Sequence, residues 1–357
     1  MESSPVMIHN SLRSIDWGPY PFDSDKLHRS YQLFSQLCRE RQFPLRFASS
    51  YDFLPESGQL RGYWEAENDG WRRVHDPFIP SLVFDKAFGA DAFSTGVIEF
   101  YDAEGLPMFD PTALAQLCNN KWRCYLQFAK YAPLTRLIQQ DSASLVDQLF
   151  GFFEEMDRTY TEHDNKAIVK PLNGCQSRGI YVVARGAQGL ELHYPFVAGQ
   201  IHGDEIQGKL QGMLLEPYLI QAWVNTSEGL PHMGFEHSFA DVRFVFIISE
   251  PGKAKFVQLY VKTLDGMVYV PVEAFEKDPF EIVNPIADWI ADHYTHGLFC
   301  VDVMRDNSGS WFLTEINDQV GLTANWHRPE EVDGLIQLQT TVIEQLQLLA
   351  ARTGVTY

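Results

Sequence analysis

Between Phe299 and Thr323 the chain reads Phe-Cys-Val-Asp-Val-Met-Arg-Asp-Asn-Ser-Gly-Ser-Trp-Phe-Leu-Thr-Glu-Ile-Asn-Asp-Gln-Val-Gly-Leu-Thr. Residues 300–304 are apolar apart from Asp302, Asp306-Asn307-Ser308-Gly309 is a cluster of turn formers, and 311–316 is a second apolar run broken by Thr314 and Glu315. Two such runs about a short turn predict a β-hairpin. Side chains alternate along a strand, so Glu315 and Asn317 share a face, and the partner strand brings Asp302 beside them. Burying a lone carboxylate among such neighbours is costly without a cation. Three oxygen ligands at the end of an apolar hairpin suit magnesium, which takes carboxylates together with phosphate oxygens. The chemistry implied is nucleotide handling; the alternative is an ordinary hairpin whose polar residues face water.

Composition narrows the partners. The 357 residues carry 28 basic and 47 acidic side chains, a net charge of −19. That balance argues against binding nucleic acid or an anionic membrane, which needs a basic face. A nucleotide or an acidic substrate would be held by a few local cations plus metal. With 45% hydrophobic residues the chain is globular, and its length fits two or three packed subdomains. Five cysteines without zinc-like spacing read as reduced thiols, and the N-terminal Met-Glu-Ser-Ser-Pro does not resemble a signal peptide. The expected location is cytoplasmic.

Along the chain, residues 24–41 place Leu27, Tyr31, Phe34, Leu37 and Cys38 on one helical stripe, with Asp23 or Ser24 as cap. Short apolar runs at 45–48, 61–64, 71–74 and 81–84 predict strands. A single helix is expected over 114–131, another over 142–155, and an amphipathic tail helix over 335–350. Strands are expected at 167–169, 180–184, 214–224, 242–248 and 255–262, before the hairpin.

Several of these segments carry phosphate-type chemistry. The strand at 167–169 runs into Lys170-Pro171 and a loop holding Gly174 and Gly179. Glycines let backbone N–H groups approach a phosphate, and the lysine supplies charge; a plain β-turn with an exposed lysine is the alternative. Lys121, carried with Asn120 in the helix expected over 114–131, is a second candidate cation; a surface lysine is the alternative. Residues 225–240 mix chain breakers with aromatics and histidines, a lid-like composition in which His232 and His237 are loop residues rather than bases. Asp241 and Arg243 alternate onto one face of the strand that follows.

These segments together resemble the ATP-grasp superfamily. An acidic residue followed on the next strand by Glu-x-Asn is similar to its magnesium element. The interval from Asp302 to Glu315, and Asn317, Gly321 and Thr323 after it, are similar to the D-alanine–D-alanine ligase branch. The resemblance covers residues 116 to 327. It implies an α/β chain of the ATP-grasp fold: two α+β subdomains, 116–215 and 216–357, gripping ATP, preceded by a pre-ATP-grasp substrate domain at 1–115. It implies ATP and Mg2+ as cofactors, with two ions expected and Mn2+ as the substitute, and Asp302, Glu315 and Asn317 as ligands. Lys121, Lys170, Gly174 and Gly179 match phosphate-contacting positions. Gln221 and the backbone of Ala222, Trp223 and Val224 match the adenine linker, and Glu228 a ribose contact; the ligase branch has glutamate where this chain has Gln221.

Asp-x-Arg at Asp241 and Arg243 is similar to glutathione synthetase-like and spore-coat-associated relatives, in which the arginine steadies the transferring phosphate. Lys262 stands where relatives often place a second arginine, and Cys300 where D-alanine ligases carry one, against simple D-alanine–D-alanine ligation. The activity implied is joining a small carboxylic acid to an amine, an amino acid or peptide, with a homodimer as the assembly common among relatives. A kinase on the same scaffold and a non-catalytic nucleotide-binding protein are the rivals.

Overall fold

The computed structural model describes residues 4–67, 70–138, 145–173, 180–187, 189–194, 197–202, 217–230, 241–263, 266–271 and 278–355. Three main sheets succeed one another along the chain. The first has the order Gly70–Val74, Tyr63–Glu67, Arg46–Ala48, Ser4–His9, Pro80–Lys86. Ser4–His9 lies parallel to both of its neighbours. All six of its residues are buried. A strand covered on both faces reads as a continuous apolar run, here Val6-Met7-Ile8, without the alternation that marks a half-exposed strand.

Helix Asp25–Glu40 starts where Ser24 Oγ accepts from the Leu27 N–H at 3.2 Å. It lays Tyr31, Phe34, Leu37 and Cys38 on one face of this sheet. Helix Ala92–Ala103 packs Val97, Ile98 and Tyr101 on the other.

The middle sheet is antiparallel throughout, in the order Val197–His202, Gly189–Tyr194, Tyr181–Gly186, Lys166–Pro171, Tyr218–Ala222, Thr135–Leu137. Helix Leu145–Thr159 covers it with Leu149, Phe152, Phe153 and Met156.

The last sheet is also antiparallel: Gly266–Tyr269, Lys253–Thr263, Asp241–Glu250, Gly297–Arg305, Trp311–Asn317. One face (Val242, Phe244, Val261, Val301, Val303) packs on Val283, Ile286 and Ile290 of helix Phe280–His293. On the opposite face, Val245, Ile247 and Cys300 join Leu338, Val342 and Leu346 of helix Pro329–Thr353 and Phe34 of the first helix in one core. Each such fully buried side chain contributes roughly 1.5–3 kcal/mol. This shared core ties the first and last sheets together and leaves the polar end of the last sheet facing the middle one.

One expectation fails: residues 114–131 form two helices, Thr112–Asn119 and Lys121–Phe128. Asn120 breaks the run because its side chain prefers to cap. Its backbone is extended (φ −99°, ψ 93°), and its Oδ1 accepts from the Arg123 N–H at 3.0 Å. Cys38, Cys118, Cys124 and Cys300 are free, buried thiols. Among the described residues, no helix is long and apolar enough to cross a membrane.

Candidate functional site

The expected hairpin is present, and its register sets the site. Asp302 pairs with Glu315 and Cys300 with Asn317, and a bulge beyond Asp302 leaves Thr314 as the extra residue. Its Oγ1 donates to the Asp302 carbonyl at 3.0 Å. The turn is closed by Asp306, whose Oδ1 accepts from the N–H groups of Ser308 and Ser310 at 2.9 and 2.8 Å. Gly309 supplies the φ of +94° needed there.

Cross-strand pairing then extends the row. Arg243 lies opposite Asp302 and Asp241 opposite Lys262. Arg243 Nε and Nη2 donate to the two oxygens of Asp302 at 2.8 and 2.7 Å. Lys262 Nζ bridges Asp302 Oδ2 at 2.6 Å and Asp241 Oδ2 at 2.7 Å. Asn317 Nδ2 donates to Asp302 Oδ2 at 3.2 Å. Burial pushes the Asp302 carboxyl up, but the charges of Arg243 and Lys262 outweigh it and hold the group at about 2. Among the described residues Asp241 has Lys262 as its close partner, and burial carries it up to about 6. Its Oδ1 is buried without a hydrogen-bond partner among the described residues.

A cavity of about 250 Å³ separates this face from the middle sheet. Lys170, Gln221, Ala222, Trp223 and Val224 line it from the middle sheet, Asp241, Lys262 and Glu315 from the last one, and Lys121 stands where the two meet. Lys121 Nζ stands 3.4 Å from Glu315 Oε1, and the Lys121 N–H donates to the Leu172 carbonyl at 3.1 Å, fixing the helix start against the strand that carries Lys170. Lys170 Nζ donates to Gln221 Oε1 at 2.9 Å, and Gln221 Nε2 passes the chain on to Thr135 Oγ1 at 2.9 Å. Burial lowers the Lys170 ammonium to about 8. In the linker, the N–H groups of Ala222 and Trp223 are taken by the carbonyls of Leu134 and Lys166. That leaves Val224 as the position whose N–H has no partner among the described residues.

Nine of the expected positions (Lys121, Lys170, Gln221, Ala222, Trp223, Val224, Lys262, Glu315 and, behind them, Asp302) thus meet around one cavity. Glu228 does not line it; its N–H donates to Asn307 Oδ1 at 3.1 Å beside the hairpin turn. Gly174, Gly179, His232 and His237 lie outside the described residues.

Arg243 lines a second cavity, of about 330 Å³, which the sequence did not disclose. It is bounded by Asp25, Lys26 and Arg29 of the first helix, Tyr260, and residues 320–331. The one signal available was the Lys26–Arg29 spacing, which puts two cations on one helix face.

The donor set fits a magnesium ion partly supplied from outside. Glu315 presents a carboxylate to the cavity with its side chain 29% exposed, while Asp302 is wholly buried and already bound by two cations. Among the described residues, no three His, Cys, Asp or Glu side chains form a cage for a metal on their own. An ion here would complete its shell with Asn317 and phosphate oxygens, the usual arrangement for magnesium.

No family model and no curated protein matches this sequence. Solved structures do match. D-cycloserine synthetase DcsG aligns at 11% identity and a TM-score of 0.58, over 96% of this chain and 100% of its own. D-alanyl-alanine synthetase A from Vibrio cholerae aligns at 14% identity and 0.58, over 97% and 99%. The ATP-grasp ligase PsnB, in complex with its minimal precursor, Mg and ADP, aligns at 12% and 0.51, over 97% and 99%. The chain has the ATP-grasp fold.

Proposed function

We propose that this protein is an ATP-dependent carboxylate–amine ligase. The observation that carries the reading is the composition of the 250 Å³ cavity. Lys170 and a half-open linker stand on one side, an acidic pair and Lys262 stand on the other with Lys121 against Glu315, and Arg243, bound to the same Asp302 as Lys262, lines the second cavity. Lys121 and Lys170 would meet the charge of a triphosphate, charge-assisted contacts that count for more in a protein of net charge −19. The Val224 N–H and the apolar side chains of Ala222 and Ile168 would take the adenine edge and face. Glu315 and Asn317, backed by Asp302, would hold magnesium, which when bound offsets the charge of the phosphate oxygens.

In the reaction, a carboxylate oxygen of the acid bonds to the γ-phosphorus as the bond to the ADP oxygen breaks, giving an acyl phosphate and ADP. The amine then bonds to the carbonyl carbon, loses a proton, and inorganic phosphate departs. The protein's contribution is positioning and charge neutralisation. Arg243, fixed on Asp302 and open to the second cavity, would steady the oxyanions of the acid and of the transferring phosphoryl group. In the proposed division, residues 1–115 select the acid and the two following units, 116–215 and 216–357, clasp the nucleotide.

A small-molecule kinase is favoured by one observation: Asp241, raised to about 6 with Oδ1 unpartnered among the described residues, would serve as a base for a hydroxyl. The experiment is ADP release measured over a panel of acids, amines and polyols. A ligase requires an acid and an amine together and yields an amide. A stable phosphorylated product formed without amine establishes the kinase and removes the ligase.

A further inference from the structure

Of the arginines lining the second cavity, Arg29 differs from Arg243 and Arg328. Arg29 lies with its guanidinium over the Trp326 ring, 4.4 Å from the centroid, and has no carboxylate partner among the described residues. In a chain with 47 acidic and 28 basic side chains, an arginine held over a ring and left without an acid among the described residues has donors to offer a ligand. Stacking occupies the face of the guanidinium and leaves the N–H groups in its plane available.

The platform beneath it is rigid. Trp326 Nε1 donates to Ser30 Oγ at 3.3 Å. The buried Gln339 donates to the carbonyls of Ser30 and Leu322 at 2.9 and 3.3 Å. Glu331 accepts from the Asn325 N–H at 2.9 Å and pairs with Arg328 at 3.1 Å.

The charges around the cavity then sort themselves. Arg328 is met by Glu331 and Arg243 by Asp302. Asp25 lies in the first turn of its helix, where the helix dipole favours an anion. Lys26 and Arg29 remain, both exposed at the rim. At about 330 Å³ the space suits a ligand of amino-acid to dipeptide size, near the lower end of small-molecule pockets.

We infer that the acid filling this cavity carries a second oxyanionic group, remote from its reacting carboxylate, which the Arg29 fork binds in bidentate fashion with Lys26 beside it. The assignment of the reacting end to Arg243 rests on the ligase reading; the second anion does not. The test is calorimetric binding of matched pairs to the full chain: glutamate against glutamine, and O-phosphoserine against serine. Binding of the magnesium complex of a non-hydrolysable ATP analogue is measured separately. At least one anionic member is expected to bind tenfold or more tightly than its neutral partner, the better pair telling carboxylate from phosphate. Arg29→Gln is expected to reduce that ratio to within twofold while leaving the nucleotide analogue's affinity unchanged; Arg29→Lys, which keeps charge but not the fork, falls between. Equal binding within both pairs, no binding of any member, or a ratio indifferent to Arg29→Gln overturns the inference. Discrimination that persists in a protein unable to bind the nucleotide analogue removes the ligase reading and leaves this one standing.

Discussion

Arg243 and Asp302 face each other directly across neighbouring strands, and the guanidinium closes on both carboxylate oxygens at 2.8 and 2.7 Å. The acid is wholly buried, and it is also the point where Lys262 and Asn317 converge. Removing one member of a buried pair leaves the other charged and unanswered, which typically costs about 3–5 kcal/mol. Asp302→Asn is therefore expected to lower the free energy of unfolding in urea by that order, besides abolishing turnover. A loss under about 1 kcal/mol would mean that Asp302 is not the anchor of this row.

Glu315 makes the contrast. Its side chain is partly exposed to the cavity, and its partner Lys121 stands at 3.4 Å. Glu315→Gln removes charge but little volume, so stability should stay within about 0.5 kcal/mol. Turnover, and the affinity for magnesium in the presence of nucleotide, should fall on the order of 10²-fold. Near-normal rates in this variant would exclude Glu315 as a metal ligand.

The contrast between these two carboxylates marks how far the sequence could be read. Alternation and turn residues were enough for the hairpin, for the shared face of Glu315 and Asn317, and for Asp241 beside Arg243, because a period of two is a local property. What it did not contain was which charges answer one another. Asp302 reads as an open ligand in the sequence, yet Arg243, 59 positions away, occupies both of its oxygens. The fully covered strand Ser4–His9 shows no alternation, and Asn120, one side chain in an otherwise helical run, splits a helix in two. The cavity at Arg29 and Trp326 needs residues almost 300 positions apart, beyond the reach of any local pattern.

Lys170 gives a pH prediction. Burial lowers its ammonium to about 8, with Gln221 Oε1 as a neutral acceptor. A lysine that must be charged to meet phosphate binds nucleotide fully below that pH and progressively less above it. Affinity for an ATP analogue should therefore fall with rising pH beyond pH 8, approaching ~10-fold per unit. In Gln221→Glu the acquired carboxylate would hold the proton on Lys170, and the fall should move to higher pH. Identical profiles for the two proteins between pH 7 and 10 would show that Lys170 does not meet the phosphates.

Beneath the hairpin, Lys86 of the first sheet donates to Asp110 Oδ2 at 3.1 Å and to the Asp318 carbonyl at 3.3 Å, while Asp110 Oδ1 accepts from the Leu298 N–H at 2.8 Å. Both strands of the hairpin are thus tied to one buried ion pair. Three buried acids, Asp85, Asp110 and Asp318, act on one another here. Burial raises Asp110 to about 6 and Asp85 to about 7, and it raises Asp318 as well. The Oδ2 of Asp85 has no partner among the described residues. An acid whose folded value lies above its unfolded one contributes stability that is complete below about pH 4 and is lost as the pH climbs through the folded value. His9, lowered to about 3 by burial and by Lys86, acts oppositely below pH 6.5. The raw profile therefore mixes the two effects, and the difference between Asp85→Asn and the parent isolates the acid. That variant, neutral at every pH, should gain at least ~1 kcal/mol relative to the parent between pH 4 and pH 8 in urea unfolding. A difference that stays flat across this range would mean that Asp85 is ionised in the folded protein throughout.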